Sequence, residues 1–211
     1  MDLGIPAAPL VNALTTLFVT IDPIGLLPIF LGLTTGMSRR QRVEVAARAC
    51  IIAALILVLF TVAGSAILAA FGITLAAFRV AGGLLLFAIA FEMVFEKRSE
   101  RQTEVAERAV SSEHIRSIAV FPLAIPLIAG PSTISATILL SGAIGPVRGE
   151  IAVATICIAI CAVTFLIFLA AHRIERLLGE TGRVVLTRLL GVLLAALAVQ
   201  FVADGVGSLM S

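Results

Sequence analysis

The chain has 211 residues, of which 60% are hydrophobic and 13% are charged, and its formal net charge at pH 7 is +2. A soluble domain of this length cannot bury so large an apolar fraction in one core. The composition therefore excludes a soluble globular protein and indicates an integral membrane protein, for which membrane lipid is a partner and no nucleic acid is expected.

Six apolar segments divide the chain, each about 20 to 27 residues long, and a helix rising about 1.5 Å per residue crosses about 30 Å of hydrocarbon with that length. In chain order they cover residues 8–34, 49–71, 74–95, 117–141, 150–171 and 186–208. No basic flank precedes the first segment, so we expect it to remain as a span rather than to be removed as a signal peptide. The predicted fold class is an all-α membrane protein with six transmembrane helices in a single domain, 1–211.

The first span is interrupted near its middle by Asp22, Pro23, Ile24 and Gly25. Proline lacks an N–H group and its ring clashes with the preceding turn, so Pro23 breaks the helical hydrogen-bond ladder. Aspartate before proline is also a favoured way to begin a helix. The sequence therefore predicts one helix ending near Ile21 and a second helix beginning at Pro23, with the break close to the membrane midplane.

The stretch from 96 to 116 is the longest polar connector, and it mixes both signs of charge. It separates two halves of similar pattern, a repeat of residues 7–95 and a repeat of residues 117–208. We interpret the connector as a cytoplasmic loop, too small for a catalytic domain.

The fourth span carries a matching interruption, Gly130, Pro131, Ser132 and Thr133, which lies 108 positions after the first. At an offset of 109, Arg79 and Arg188 each open the third span of a half. Three spans per half force the second half to run upside down in the membrane. The spacing therefore predicts two inverted three-helix repeats with spans 1 and 4 discontinuous, an arrangement typical of secondary transporters.

Basic residues fall mainly on one side of this topology. Loops after spans 1, 3 and 5 hold 13 arginines and lysines, whereas the other side holds Arg79 and Arg148. Because short cytoplasmic loops carry the excess of basic residues, this asymmetry predicts a multi-pass protein with both termini outside.

The two interruptions are the candidate site. Backbone N–H groups at a helix start cannot remain unsatisfied in hydrocarbon, so we expect both breaks to face protein or a wet cavity at the middle of the bundle. Helix N-termini favour a carboxylate, and Asp22 can accept an ammonium group or a coupling ion, either a proton or sodium. Hydroxyl groups of four residues can add contacts: Thr20, Ser132, Thr133 and Ser135. The predicted ligand is a small zwitterion, and the alternative is that Asp22 only caps its half-helix.

Other polar and small residues in the spans have simpler interpretations. Glu92 and His172 are expected at the inner boundary, Asp204 lies near the outer end of span 6, and Gln200 can line the central cavity. Small residues expected to serve helix packing are Gly82, Gly83, Gly191, Cys157 and Cys161. The chain has three cysteines, Cys50, Cys157 and Cys161, and their spacing is not that of a disulfide framework or a zinc site.

Three motifs resemble the MarC family of bacterial and archaeal inner-membrane proteins. They are AspProIleGly with ProIlePhe in the first span, AlaGlyGlyLeuLeuLeuPheAlaIleAla in the third, and ProLeuAlaIleProLeuIleAlaGlyProSerThrIle in the fourth. The family is named for an association with multiple antibiotic resistance and includes a transporter of small neutral amino acids. The resemblance implies a prokaryotic plasma (inner) membrane protein that holds glycine or alanine between discontinuous spans 1 and 4. The implied site residues are Asp22, Pro23, Ile24, Gly25, Gly130, Pro131, Ser132 and Thr133.

The function predicted from these features is alternating-access transport of small neutral amino acids, without a cofactor. One alternative changes the substrate to another small metabolite or a drug-like solute. The other is a membrane scaffold that transports nothing. An enzyme is not expected because the sequence offers no nucleophile with a base and no metal-ligand set, and the sequence leaves a homo-oligomer open.

Overall fold

The computed structural model describes residues 7–95, 118–145 and 147–210, and over these ranges the chain forms helices and no strand. Numbered in chain order, the helices are α1 Ala7–Ile21, α2 Leu27–Leu33, α3 Arg39–Ala70, α4 Leu75–Val94, α5 Pro131–Ile144, α6 Arg148–Leu169 and α7 Ala171–Met210. An irregular segment, Ala119–Ile128, precedes α5. The predicted connector, 96–116, lies outside the described residues.

Four helices in the described ranges are long and apolar enough to cross a membrane: Arg39–Ala70, Leu75–Val94, Arg148–Leu169 and Thr181–Met210. The irregular segment and α5 together meet the same criterion as a pair bent by 53°. Helix α1 is apolar but has only 15 residues. The chain is thus an all-helical membrane protein with four or five candidate spans, and the sixth predicted span requires α1 and α2 together.

A short turn joins α3 to α4, and local sequence chemistry explains it. Gly72 adopts φ +68, a conformation that glycine reaches without a Cβ penalty. Ile73 N then donates to the Leu68 carbonyl at 2.9 Å, which satisfies one of the last carbonyls of α3. Thr74 begins α4, since its hydroxyl accepts from Ala77 N at 3.1 Å. These bonds end one long helix and begin the next within a few residues.

Helices α4 and α7 pack closely because glycines remove side chains at their contact. A Cβ on Gly83 would lie 2.9 Å from the Ala198 carbonyl oxygen, and one on Gly191 would lie 2.9 Å from the Cβ of Met93. Gly83 in the first half of α4 meets Ala198, whereas Met93 near its end meets the earlier residue Gly191. The two helices are therefore antiparallel. Gly82 meets Leu139 of α5 in the same way. The packing role predicted for the three glycines is confirmed.

Helices α3 and α6 form a second antiparallel pair. The side chain of Arg42 contacts His172 just beyond the end of α6, whereas Thr61, farther along α3, lies beside Cys157. Cys50, Cys157 and Cys161 are buried free thiols, as expected for residues on packing faces. In the part of the chain that the structure describes, no group of His, Cys, Asp or Glu is arranged to hold a metal ion.

The bundle has two chemically different ends. At the terminal end, a cavity is lined by Pro9 near the start of α1, Arg79 on α4 and Asp204 near the end of α7. At the arginine-rich end, a second cavity is lined by Arg39, Arg42 and His172. The two ends are called the terminal end and the arginine-rich end.

The α4–α7 contact predicts a pair of opposite glycine substitutions. Gly83→Ala should lower the melting temperature in detergent, because its Cβ would press on the Ala198 carbonyl, and overpacking of this kind costs about 1–3 kcal/mol. Gly207→Ala is the matched control, since no atom lies within 4 Å of its added Cβ. The control should match the parent or gain up to about 1 kcal/mol from helix propensity. Equal melting temperatures for the two variants would contradict the packing role.

Candidate functional site

The first break lies between α1 and α2 and is centred on Asp22. Asp22 adopts φ +54, a left-handed conformation that aspartate tolerates better than most residues. Residues 23–26 form a turn, and regular helix resumes only at Leu27, with Pro28 in its first turn. The predicted helix start at Pro23 is therefore wrong, because the left-handed residue must be followed by a full turn before the chain regains helical geometry.

The Asp22 side chain holds this turn together. Its Oδ1 accepts a hydrogen bond from Gly25 N at 3.0 Å, and its backbone carbonyl accepts from Leu26 N at 3.1 Å. Leu27 N donates to the Ile24 carbonyl at 3.2 Å. Three N–H groups of the break are thus satisfied within the turn. The first break consequently presents a carboxylate, 3% exposed, rather than the free helix N-terminus that the sequence suggested.

Gly25 is required by the position of that carboxylate. A Cβ added to Gly25 would collide with the Oδ2 and Cγ atoms of Asp22. Any other residue at this position would displace the Asp22 side chain or open the turn. Asp22 and Gly25 therefore form one structural unit, which explains why they occur together in an apolar span.

The second break lies between the irregular segment and α5. Phe121 and Ile125 have extended backbone conformations, and each is joined to the following proline, Pro122 or Pro126, by a cis peptide bond. The extended residues make this half of the span irregular instead of a regular helix. Gly130 follows in an extended conformation, where a Cβ would lie 2.5 Å from the Pro126 carbonyl oxygen. Glycine is thus needed for the chain to turn into α5.

The start of α5 leaves its backbone donors without a cap. Pro131 occupies the first turn, and Ile134 N makes the bond to the Gly130 carbonyl at 2.9 Å. The N–H groups of Ser132 and Thr133 have no intrahelical acceptor at a helix start, and no side chain caps them. The positive end of a 14-residue helix is therefore buried in the bundle.

Three hydroxyl groups at this helix start also make no hydrogen bond with the residues that the structure describes. They belong to Ser132, Thr133 and Ser135, which are 8%, 1% and 6% exposed. Other buried threonine hydroxyls donate to a carbonyl of their own helix: Thr20, Thr34, Thr61, Thr137 and Thr164. Because a hydroxyl group can donate one hydrogen bond and accept two, these three hydroxyls add to what the helix start can bind.

Helices α1 and α5 carry five of the ten predicted site residues, and the other five lie in the turn after α1 or at Gly130. Helix α5 packs against α1 and also against α3, α4 and α6. Of the ten predicted site residues, eight are buried, Ile24 is half-buried and Pro131 is exposed. Gln200, interpreted as lining the central cavity, is instead exposed and donates to Asp204 at the terminal end.

The sequence analysis did not identify two polar residues of α1, Asn12 and Thr16. Thr16 is fully buried, and its hydroxyl donates to the side-chain oxygen of Asn12 at 3.1 Å. The Thr20 hydroxyl donates to the Thr16 carbonyl at 2.6 Å. Asn12, Thr16 and Thr20 therefore form a polar face that leads from the terminal end to Asp22. Polar residues spaced by four within an apolar run lie on one side of a helix, so the sequence pattern could have indicated this face.

Comparison with known proteins agrees with the motifs in spans 1, 3 and 4. The family model described as MarC family integral membrane protein matches residues 8–210. A UPF0056 membrane protein of Archaeoglobus fulgidus is 40% identical over 191 residues, covering 90% of this chain and 89% of that protein. The UPF0056 membrane protein YvbG of Bacillus subtilis is 38% identical over 196 residues, covering 93% of each chain. No solved structure matches this chain.

The turn at Asp22 predicts that its amide and alanine variants will differ in stability. Asp22→Ala removes the acceptor for Gly25 N and places a Cβ-bearing residue without that bond at positive φ, which together cost about 2 kcal/mol. Asp22→Asn keeps an acceptor oxygen and tolerates the left-handed conformation, so its melting temperature in detergent should stay near that of the parent. If Asn destabilises the protein as much as Ala, the charge of Asp22 and not its capping bond holds the turn.

Proposed function

Because this chain belongs to the MarC family of integral membrane proteins, we propose that it is a secondary transporter of small neutral amino acids such as glycine and alanine. The substrate binds between the two breaks, at the predicted residues of spans 1 and 4. Transport proceeds by alternating access, with this site exposed first to one side of the membrane and then to the other.

The observation that carries the proposal is the opposite chemistry of the two breaks. One contributes the buried carboxylate of Asp22, and the other contributes the N–H groups of Ser132 and Thr133 with three unbonded hydroxyls. A carboxylate can accept several hydrogen bonds at once, so the bond from Gly25 N does not prevent it from binding an ammonium group. The helix start at α5 suits the substrate carboxylate. A zwitterion matches both parts, whereas a simple anion or cation matches only one.

The site also favours a small substrate. Gly25 lies against the Asp22 carboxylate and Gly130 against the Pro126 carbonyl, so backbone atoms approach closely at both breaks. The polar side chains of α5 at this point are short. These features suit glycine or alanine better than a bulky amino acid or a drug-like solute.

The helix pairs support the predicted inverted repeats. Two long helices of the first half pack against their counterparts in the second half, α3 on α6 and α4 on α7. Both pairs are antiparallel, as an inverted repeat requires. In the proposed topology α1 and α2 together make the first of six spans, and the arginine-rich end faces the cytoplasm of a prokaryotic cell. Both termini then lie outside the plasma membrane.

Coupling to an ion gradient is proposed to use the same carboxylate. Asp22 is the one ionisable side chain among the ten predicted site residues. A proton or a sodium ion at Asp22 would change its attraction for the substrate ammonium group. Substrate binding and ion binding would therefore depend on each other.

The transport role of Asp22 is tested by removing its charge while keeping its shape. In liposomes, Asp22→Asn should take up labelled glycine about 10- to 100-fold more slowly than the parent, the loss expected for a hydrogen bond to a charged group. Glu44→Gln is the control, because Glu44 is exposed at the arginine-rich end, where it pairs with Arg48. It should transport like the parent. Parent-like uptake by Asp22→Asn would leave Asp22 with a capping role alone.

The substrate class is tested by thermal shift of the parent protein with the common amino acids, followed by counterflow of those that bind. Glycine and alanine should raise the melting temperature, since a ligand that binds only the folded state stabilises it. No shift with any amino acid would favour another solute or a scaffold.

A further inference from the structure

The polar cavity at the terminal end has a volume of about 230 Å³ and lies between α1, α4, α5 and α7. Three polar side chains from three different helices line it: Asn12, Arg79 and Asp204. Its apolar wall includes Leu140, Ile144 and Phe201. Sites for drug-sized ligands have volumes of about 300–1,000 Å³, so this cavity suits a smaller molecule.

The two charges in the cavity do not pair with each other. Arg79 is half-buried, and it makes no hydrogen bond or ion pair with the residues that the structure describes. The Asp204 carboxylate accepts from Gln200 Nε2 at 2.7 Å, which orients it, and it forms no ion pair with Arg79. One small cavity is thus lined by a guanidinium group, which can bind an anionic group, and by a carboxylate, which can bind a cationic group.

The cavity lies at one end of the polar face of α1. Asn12 belongs to both, and Thr16 and Thr20 continue the face towards Asp22. On α5, Leu140 lies seven residues after Thr133 and so shares its face of the helix. Since α1 packs against α5, a continuous pair of helix faces joins this cavity to the two breaks.

We infer that this cavity is a loading site for the transported amino acid, separate from the central site. Arg79 binds the substrate carboxylate, Asp204 binds the ammonium group, and Asn12 passes the substrate to the polar face of α1. The inference rests on the proposed function, because it assumes that the cargo is a zwitterion. It assigns roles to Arg79 and Asp204, which lie outside both breaks.

Uptake kinetics of purified full-length protein in liposomes test the loading site. The rates are normalised to the protein molecules whose terminal end faces the outside of the vesicle. The fraction of these molecules is measured by protease removal of an N-terminal tag. Arg79→Gln and Asp204→Asn should each raise the KM for glycine about tenfold, the loss expected for one charge-assisted hydrogen bond. The maximal rate at saturating glycine should change little, because the central site is intact. Arg79→Lys keeps the charge and should recover part of the affinity.

Arg148→Gln is the matched control, because Arg148 is an exposed arginine at the terminal end that does not line the cavity. It should keep the parent KM, which separates local binding from a general effect of surface charge. Melting temperatures identify any variant that fails to fold. If Arg79→Gln does not fold, the KM values of Arg79→Lys and Asp204→Asn decide the result.

The outcomes separate this inference from the proposed function. If the parent takes up glycine and both variants keep its KM, the loading site is wrong while transport stands. A fall in maximal rate with unchanged KM also overturns the loading site, since it indicates that the two residues act in conformational change. If the parent neither binds nor transports any amino acid, the proposed function and the loading site both fail.

Discussion

The structure depends on one constraint, which is that backbone polar groups in hydrocarbon must find a partner within the protein. Each unsatisfied group costs several kcal/mol. The long helices meet this requirement with their own ladders, and most buried threonines return their hydroxyls to a carbonyl of the same helix. The described chain departs from that rule at the turn around Asp22 and at the irregular segment that leads into α5. Their surroundings explain how the bundle tolerates them.

The two breaks satisfy the constraint differently. At the first break, the Asp22 carboxylate and carbonyl accept hydrogen bonds from N–H groups of the turn. Gly25 has no Cβ that would collide with the Asp22 side chain. At the second, Gly130 and Pro131 begin a helix with no acceptor, and α5 is enclosed by α1, α3, α4 and α6. The first break is thus a structure stabilised by its own negative charge, while the second needs an acceptor from elsewhere. In the proposed function, the carboxylate of the substrate supplies that acceptor.

Polar chemistry extends beyond the breaks in one direction. The Asn12, Thr16 and Thr20 face of α1 leads to the terminal end, where Arg79 and Asp204 line a common cavity. At the arginine-rich end, by contrast, Phe30 and Phe168 are stacked at 4.3 Å and almost fully buried. In this conformation the polar route to the breaks runs from the terminal end.

Much of this arrangement follows from the sequence alone, because its causes are local. Apolar length predicted the long helices, proline chemistry placed interruptions near Asp22 and Gly130, and glycines predicted close helix packing. Tertiary structure decided the rest. Helix α2 begins at Leu27 because the Asp22 side chain turns back onto Gly25. The hydroxyls at the start of α5 are buried because of the helices packed around it. Arg79 and Asp204, 125 residues apart, share a cavity only because antiparallel packing of α4 on α7 brings them together.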